Sequence, residues 1–113
     1  MIAATFLCLA AVAIDGDTLR CANLRAEANG RVRLACIDAP ELGARGGAEA
    51  KRALAAMIEG REVRCRLVDA DPRIEGFQAR DRFGRTVARC EVGGRDLGAS
   101  LVGSGLAARW PRG

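Results

Sequence analysis

The apolar positions of this chain fall into short runs of strand length, interrupted by one stretch with helical period. Residues 5–14 are apolar at nearly every position, and Asp15-Gly16, a dipeptide suited to a tight hairpin, turns that run into a second strand expected over residues 18–25. Asn29-Gly30 marks the next turn. Residues 31–37 alternate, with Val32, Leu34 and Cys36 on one face and Arg31, Arg33 and Ala35 on the other, until Pro40 ends the strand. After a glycine-rich loop over residues 43–47, Ala50, Leu54, Met57 and Ile58 recur at helical spacing, and Gly60 stands where a helix end accepts a left-handed residue. Residues 62–68 and 86–92 supply two more strands. The long polar connection between them opens with the turn residues Asp69-Ala70-Asp71-Pro72. Asp96 is placed to cap a short helix through Val102, which Gly103-Ser104-Gly105 ends.

Strand, strand, strand, helix, strand, strand is the order of the five-stranded Greek-key barrel called the OB-fold, whose face and loops bind oligonucleotides. The expected class is therefore mainly β with two short helices, closed as a barrel. No internal repeat, low-complexity tract or linker divides the 113 residues, so residues 1–113 form one expected domain, long enough to bury roughly two-thirds of its unfolded surface.

Composition adds little to that picture. Half the residues are apolar and 28% are charged, an ordinary globular balance rather than a disordered or fibrous one. The net charge of +4 suits a polyanionic partner but is modest, and the basic residues are nearly all Arg, Lys51 being the lone Lys, a skew that coding bias alone can produce. Phe6, Phe77, Phe83 and Trp110 are too few for a long series of base-stacking platforms. The apolar run over residues 2–14 carries Ala11-Val12-Ala13, similar to a signal-peptidase site. It lacks a basic region before it, is too short to span a bilayer, and reads equally as a central strand. The strand is the expectation, since cleavage after Ala13 would strip the Asp-Gly-Asp turn of its incoming strand, and it sets the mature start near Met1. No membrane association is expected.

There is no His and no Cys-x-x-Cys pair, which excludes histidine-based nucleophilic catalysis and argues against zinc. Cys8 and Cys21 flank the first turn, and Cys65 and Cys90 fall in strands that could pair. Four such positions suggest two disulfides with Cys36 free, and hence an extracellular or periplasmic protein. Five reduced core cysteines in a cytosolic protein is the alternative.

What changes the picture is a set of ionisable residues in three short stretches: Asp17 in Asp15-Gly16-Asp17-Thr18, Arg33, Asp38 and Glu41 around Pro40, and Arg85 in Asp81-Arg82-Phe83-Gly84-Arg85. Three carboxylates and two guanidinium groups can hold a hard divalent cation, activate a water and neutralise a phosphate under attack, which is the inventory of a phosphodiesterase. Taken singly, the aspartates of the turn are commonly turn formers, and Arg85 would pass for a surface arginine.

With Asp15-Gly16-Asp17-Thr18-Leu19, Arg33-Leu34, Ile37-Asp38-Ala39-Pro40-Glu41, Asp81-Arg82-Phe83-Gly84-Arg85, and the closing Leu101-Val102 and Gly105-Leu106-Ala107, the chain resembles the staphylococcal nuclease (thermonuclease) family, motif by motif and in order. The resemblance implies an OB-fold and a calcium-dependent nuclease, acting on DNA and RNA with little sequence preference and leaving 3′-phosphate ends. It further implies that Asp17 and Asp38 bind Ca2+ together with the backbone carbonyl of Ala39, and that Glu41 positions or deprotonates the attacking water. Arg33 and Arg85 would grip the phosphate and stabilise its transition-state charge. Arg82, Phe83 and Trp110 are the substrate-binding candidates: Phe83 matches one of the family's nucleotide-contacting tyrosines, and Trp110 lies near the others.

The departures from the family pattern are a shorter loop after Glu41, a longer connection over residues 69–81, and an end at Gly113 ahead of the family's C-terminal helix. The expected partner is DNA or RNA, preferably single-stranded, and the expected state is a monomer. A non-catalytic OB module that only binds single strands is the main alternative, but such modules typically lose the acidic residues that this chain keeps. A structural calcium-binding or protein-interaction domain leaves Arg33 and Arg85 without a reason.

Overall fold

The computed structural model describes residues 4–24 and 28–110. In chain order the elements are β1 (Thr5–Cys8), β2 (Val12–Asp15), β3 (Thr18–Arg20), β4 (Arg31–Leu34), β5 (Ile37–Asp38), α1 (Gly47–Ile58), β6 (Val63–Leu67), β7 (Thr86–Val92), β8 (Arg95–Asp96), α2 (Leu97–Gly103) and β9 (Ala108–Arg109). The class is mainly β with two helices, as expected.

The main sheet runs β1-β6-β7-β4-β3-β2, with β8 added to β7. Its β4–β7 pair is parallel and the others are antiparallel. The path starts on β1 and finishes on β2, the two halves of the single apolar run. The hydrogen-bonded ladder is open between them and the chain itself bridges the gap.

The one strand expected over residues 5–14 is thus two. Ala10, at φ 49°, takes a left-handed conformation that bends the run and sends each half to a different partner strand. The polar groups uncovered at the bend are met by one side chain: Asn23 Oδ1 accepts from the Leu9 N–H at 2.9 Å, and Asn23 Nδ2 donates to the Leu7 carbonyl at 2.8 Å. Unbroken apolarity hides such a bend, because both halves face the core region and no period marks the break.

Two other strands end earlier than expected. β3 stops at Arg20, where a 3-10 turn over Ala22–Leu24 begins, and Arg25, the expected end of that strand, lies outside the described residues. β4 stops at Leu34 because Cys36, at φ 67°, turns the chain. The turn reverses the predicted faces: Ala35 is buried, Cys36 is half-buried, and Ile37 re-enters the core.

Elements with sharp boundary chemistry fall where expected. β7 spans Thr86–Val92, α1 buries Ala50, Leu54 and Ile58, and Asp96 caps α2 by accepting from the Ala99 N–H at 2.8 Å. Leu19, Val32, Leu34, Leu54, Leu97 and Leu101 are the fully buried centre, each worth about 1.5–3 kcal/mol of burial. Disulfides join Cys8 to Cys21 and Cys65 to Cys90, and Cys36 is free, matching the pairing suggested by strand position. Among the described residues, no helix is long and apolar enough to cross a membrane.

Candidate functional site

Asp17 stands on the turn between β2 and β3, and that turn is held from both sides. Asp15 Oδ1 accepts the Asp17 N–H at 3.1 Å. Gly16 allows a close approach: a Cβ there would sit 2.5 Å from Ala50 Cβ on α1 and 2.8 Å from Ala39 Cβ. The turn is therefore pressed against α1 and the segment after β5, which leaves Asp17 only 6% exposed. Its Oδ2 accepts the Ala39 N–H at 2.9 Å and its Oδ1 accepts the Thr18 hydroxyl at 3.1 Å. Burial raises its pKa from 3.8 to about 6, against the opposing pull of the Ala39 N–H and the Arg33 charge, with Asp15 adding to the rise.

Arg33, on β4, sends one guanidinium nitrogen between two carboxylates. Nη2 lies 3.4 Å from Asp17 Oδ2 and 3.3 Å from Asp38 Oδ1, while Nη1 donates to the Leu34 carbonyl at 2.7 Å. Asp38 reaches this point because β5 begins a new strand paired with β9, and unlike Asp17 it is exposed. The two carboxylates expected to bind a cation thus converge on one positive group.

Arg33 and Asp38 form one wall of a groove of about 580 Å³. Trp110 borders it, its backbone N–H donating to the Cys36 carbonyl at 2.9 Å. The far wall is the 69–85 connection, which also brings Arg82, Phe83 and Arg85 to the groove. Arg85 is fixed by Asp81: its Nε donates to Asp81 Oδ2 at 2.8 Å, and its Nη2 lies 2.8 Å from the same oxygen. Asp81 Oδ1 accepts the Phe83 and Arg85 N–H groups at 3.0 and 2.9 Å, so one carboxylate shapes the turn and aims its arginine. The Phe83 ring, 62% exposed, carries the Arg82 and Arg85 guanidinium carbons 5.0 and 5.2 Å from its centroid.

Arg33, Asp38, Arg82, Phe83, Arg85 and Trp110 therefore share one groove. Asp17 joins them through Arg33, and Ala39 supports Asp17 from behind. Glu41 stands apart: it is exposed beyond Pro40 and does not line the groove. Its backbone is nonetheless fixed, because the Glu41 carbonyl packs on Gly47 at the start of α1, where a Cβ would collide with it. Sequence reasoning missed Asp81 as the partner of Arg85, for which its place four residues earlier was the available signal. It also missed the wall formed by Asp71, Ile74, Gln78 and Arg80.

Among the described residues, no cluster of three or more His, Cys, Asp or Glu is arranged to hold a metal. The donors present are nonetheless of the right kind for a hard cation. Two carboxylates converge, and one of them is buried at a cost that a divalent charge would offset. Comparison with curated proteins returned no match. The staphylococcal nuclease homologue family matches over residues 31–111, a span that contains Arg33, Asp38, Ala39, Glu41, Arg82, Phe83, Arg85 and Trp110 and begins after Asp17. With a match over most of its length and the strand order of an OB-fold, the chain belongs to the staphylococcal nuclease homologue family.

Proposed function

We propose that this protein is a calcium-dependent phosphodiesterase that cleaves DNA or RNA with little sequence preference and leaves 3′-phosphate ends. The observation that carries the reading is the convergence of Asp17 and Asp38 on Arg33 at the wall of a groove that also receives Arg85. A phosphodiester lying in that groove meets two guanidinium groups, whose planar forks suit phosphate oxygens as they gain charge in the transition state. Asp17, Asp38 and the Ala39 carbonyl would hold Ca2+, with waters and a substrate oxygen completing its six to eight ligands. When bound, the ion supplies charge neutralisation and lowers the pKa of a coordinated water.

Each residue of the chain then has its own task. Arg33 binds the phosphate before and during attack. Arg85, preset by Asp81, meets the charge that develops later. Glu41 holds or deprotonates the attacking water, which requires its exposed carboxylate to swing toward the groove. Phe83 and Trp110 offer apolar faces for bases, a mode that favours unpaired strands. The two disulfides support an extracellular or periplasmic location.

The competing reading, a module that binds single strands without cutting them, draws on the position of Glu41 outside the groove lining. Incubating the purified protein with single-stranded DNA in calcium or in chelator separates the two. Cleavage in calcium that stops in chelator is expected. Binding without cleavage under both conditions would leave only the module.

A further inference from the structure

Beyond Arg33 on β4, the outer face of β7, β6 and β1 carries a row of side chains that the proposed chemistry does not use. Arg33 on β4 stands opposite Val87, which lines the groove. Two residues along β7, on the same face, comes Arg89. Arg89 is directly opposite Arg66 on β6, and Arg66 is opposite Thr5 on β1. Both arginines are exposed.

Like charges set directly opposite each other on neighbouring strands oppose sheet formation, and strands here are about 4.8 Å apart. Among the described residues, no carboxylate ion-pairs with either arginine. Arg89 instead contacts the Cys36 sulfur, to which its Nη2 donates at 3.1 Å. Arg64, one pair further along, is by contrast neutralised: it is opposite Glu91 and its Nε donates to Glu62 Oε1 at 3.1 Å. Positive charge is thus concentrated where the row approaches the groove. The row also borders a second hollow of about 540 Å³, lined among others by Thr5, Leu7, Arg66 and Arg89. Arg89 sits on the rim between the two hollows, because the Cys36 it contacts also accepts the Trp110 backbone N–H at the edge of the first.

We infer that Arg89 and Arg66 form an exit track for the nucleic-acid strand: phosphates that flank the scissile bond leave the groove across the outer face of β7 and β6. This rests on the nuclease reading for the identity of the strand. Charge complementarity selects the occupant, since a chain with a phosphate at every residue satisfies Arg33, Arg89 and Arg66 in succession. The far end, where Glu91 and Glu62 restore negative charge, limits the track to the part next to the groove.

The test compares a thymidine dinucleotide with a long oligothymidylate, read by fluorescence anisotropy in chelator and by cleavage in calcium. The proteins are the parent, Arg66→Ala/Arg89→Ala, Arg66→Lys/Arg89→Lys, and a control with the same charge change on α1, Lys51→Ala/Arg52→Ala. The double alanine variant should lose on the order of tenfold in affinity for the long strand, and the slope of log affinity against log salt should fall by about 1.4. Its turnover of the dinucleotide should be unchanged. The lysine variant should recover most of the loss, and the α1 control should behave as the parent does. Unchanged long-strand binding in the double alanine variant, or an equal loss in the α1 control, overturns the track. A parent that cleaves while the double variant binds normally defeats the track alone. A parent that binds through Arg66 and Arg89 but never cleaves defeats the nuclease reading alone.

Discussion

Arg33 reaches the groove from the middle of a strand and Arg85 from the end of a loop, and different partners hold them. Arg33 shares its Nη2 between Asp17 and Asp38, which are also the proposed cation ligands, so its position depends on whatever else those carboxylates bind. Arg85 has a partner of its own, Asp81, which is bonded to nothing that a cation would claim. Strand placement gives Arg33 a rigid origin with a negotiable partner. The loop gives Arg85 an origin outside the ladder with a dedicated partner. Both sites therefore reach similar order by opposite means, and each should fail in its own way.

The largest effect expected is on the rate. Arg85→Ala should lower kcat on the order of 10²-fold or more while changing substrate affinity little, because a preorganised charge partner acts mainly in the transition state. Arg33→Ala should cost both quantities. Equal proportional losses of rate and affinity in Arg85→Ala would remove the distinction between the two arginines.

Gly16→Ala attacks only the strand-built half. The added methyl meets Ala50 and Ala39, so it should destabilise the fold by about 1–3 kcal/mol and weaken calcium-dependent stabilisation more than it disturbs Arg85. Thermal melting with and without calcium reads both parts. Asp81→Asn is the mirror experiment. It weakens the hold on Arg85 and should reduce kcat by roughly tenfold without altering the calcium concentration needed for half-activity. A matching shift in that concentration would show that the two halves are not separable.

The remaining test concerns the buried carboxylate. The folded-state pKa of Asp17, about 6, lies above its ordinary 3.8, so between those values the folded protein holds the proton more tightly than the unfolded chain does. Its contribution is therefore fully present below about pH 4 and is lost as pH rises through about 6. In chelator, Asp17→Asn should melt at a higher temperature than the parent above pH 6, and the gap should close as pH falls toward 4. A parent with flat stability over that window would argue that Asp17 is better solvated than its surroundings indicate.

How much of this could be read in advance depended on whether local chemistry marked the event. Thr86–Val92 alternates from Ala88 onward and is bounded by Gly84 and Gly93-Gly94, and α2 has Asp96 as its cap, so both were legible to within a residue or so. The bends at Ala10 and Cys36 were not, because neither residue is a usual left-handed former and the reason to bend lies in partner strands far along the chain. The charged residues of the groove were legible as motifs. What the motifs could not convey was placement: that the 69–85 connection folds back as a wall, that Asp81 spends its carboxylate on Arg85, and that Glu41 faces solvent. Those depend on loop paths, which short-range patterns constrain weakly.

The bend at Ala10 has a consequence for how the molecule would respond to a protease. Leu9 and Ala10 are exposed, and the backbone there carries the ring from β1 to β2. A nick at that bond would open the ring, yet the severed β1 segment would stay tethered, because the disulfide from Cys8 leads to Cys21 on the other side of the cut, beyond β3. While oxidised, the cut protein would remain one covalent unit with β1 still laddered on β6. Under reduction the same cut would leave β1 held only by its ladder, and its departure would give β6 a bare edge. The bridge thus works as a redundant fastening at an exposed turn of the barrel.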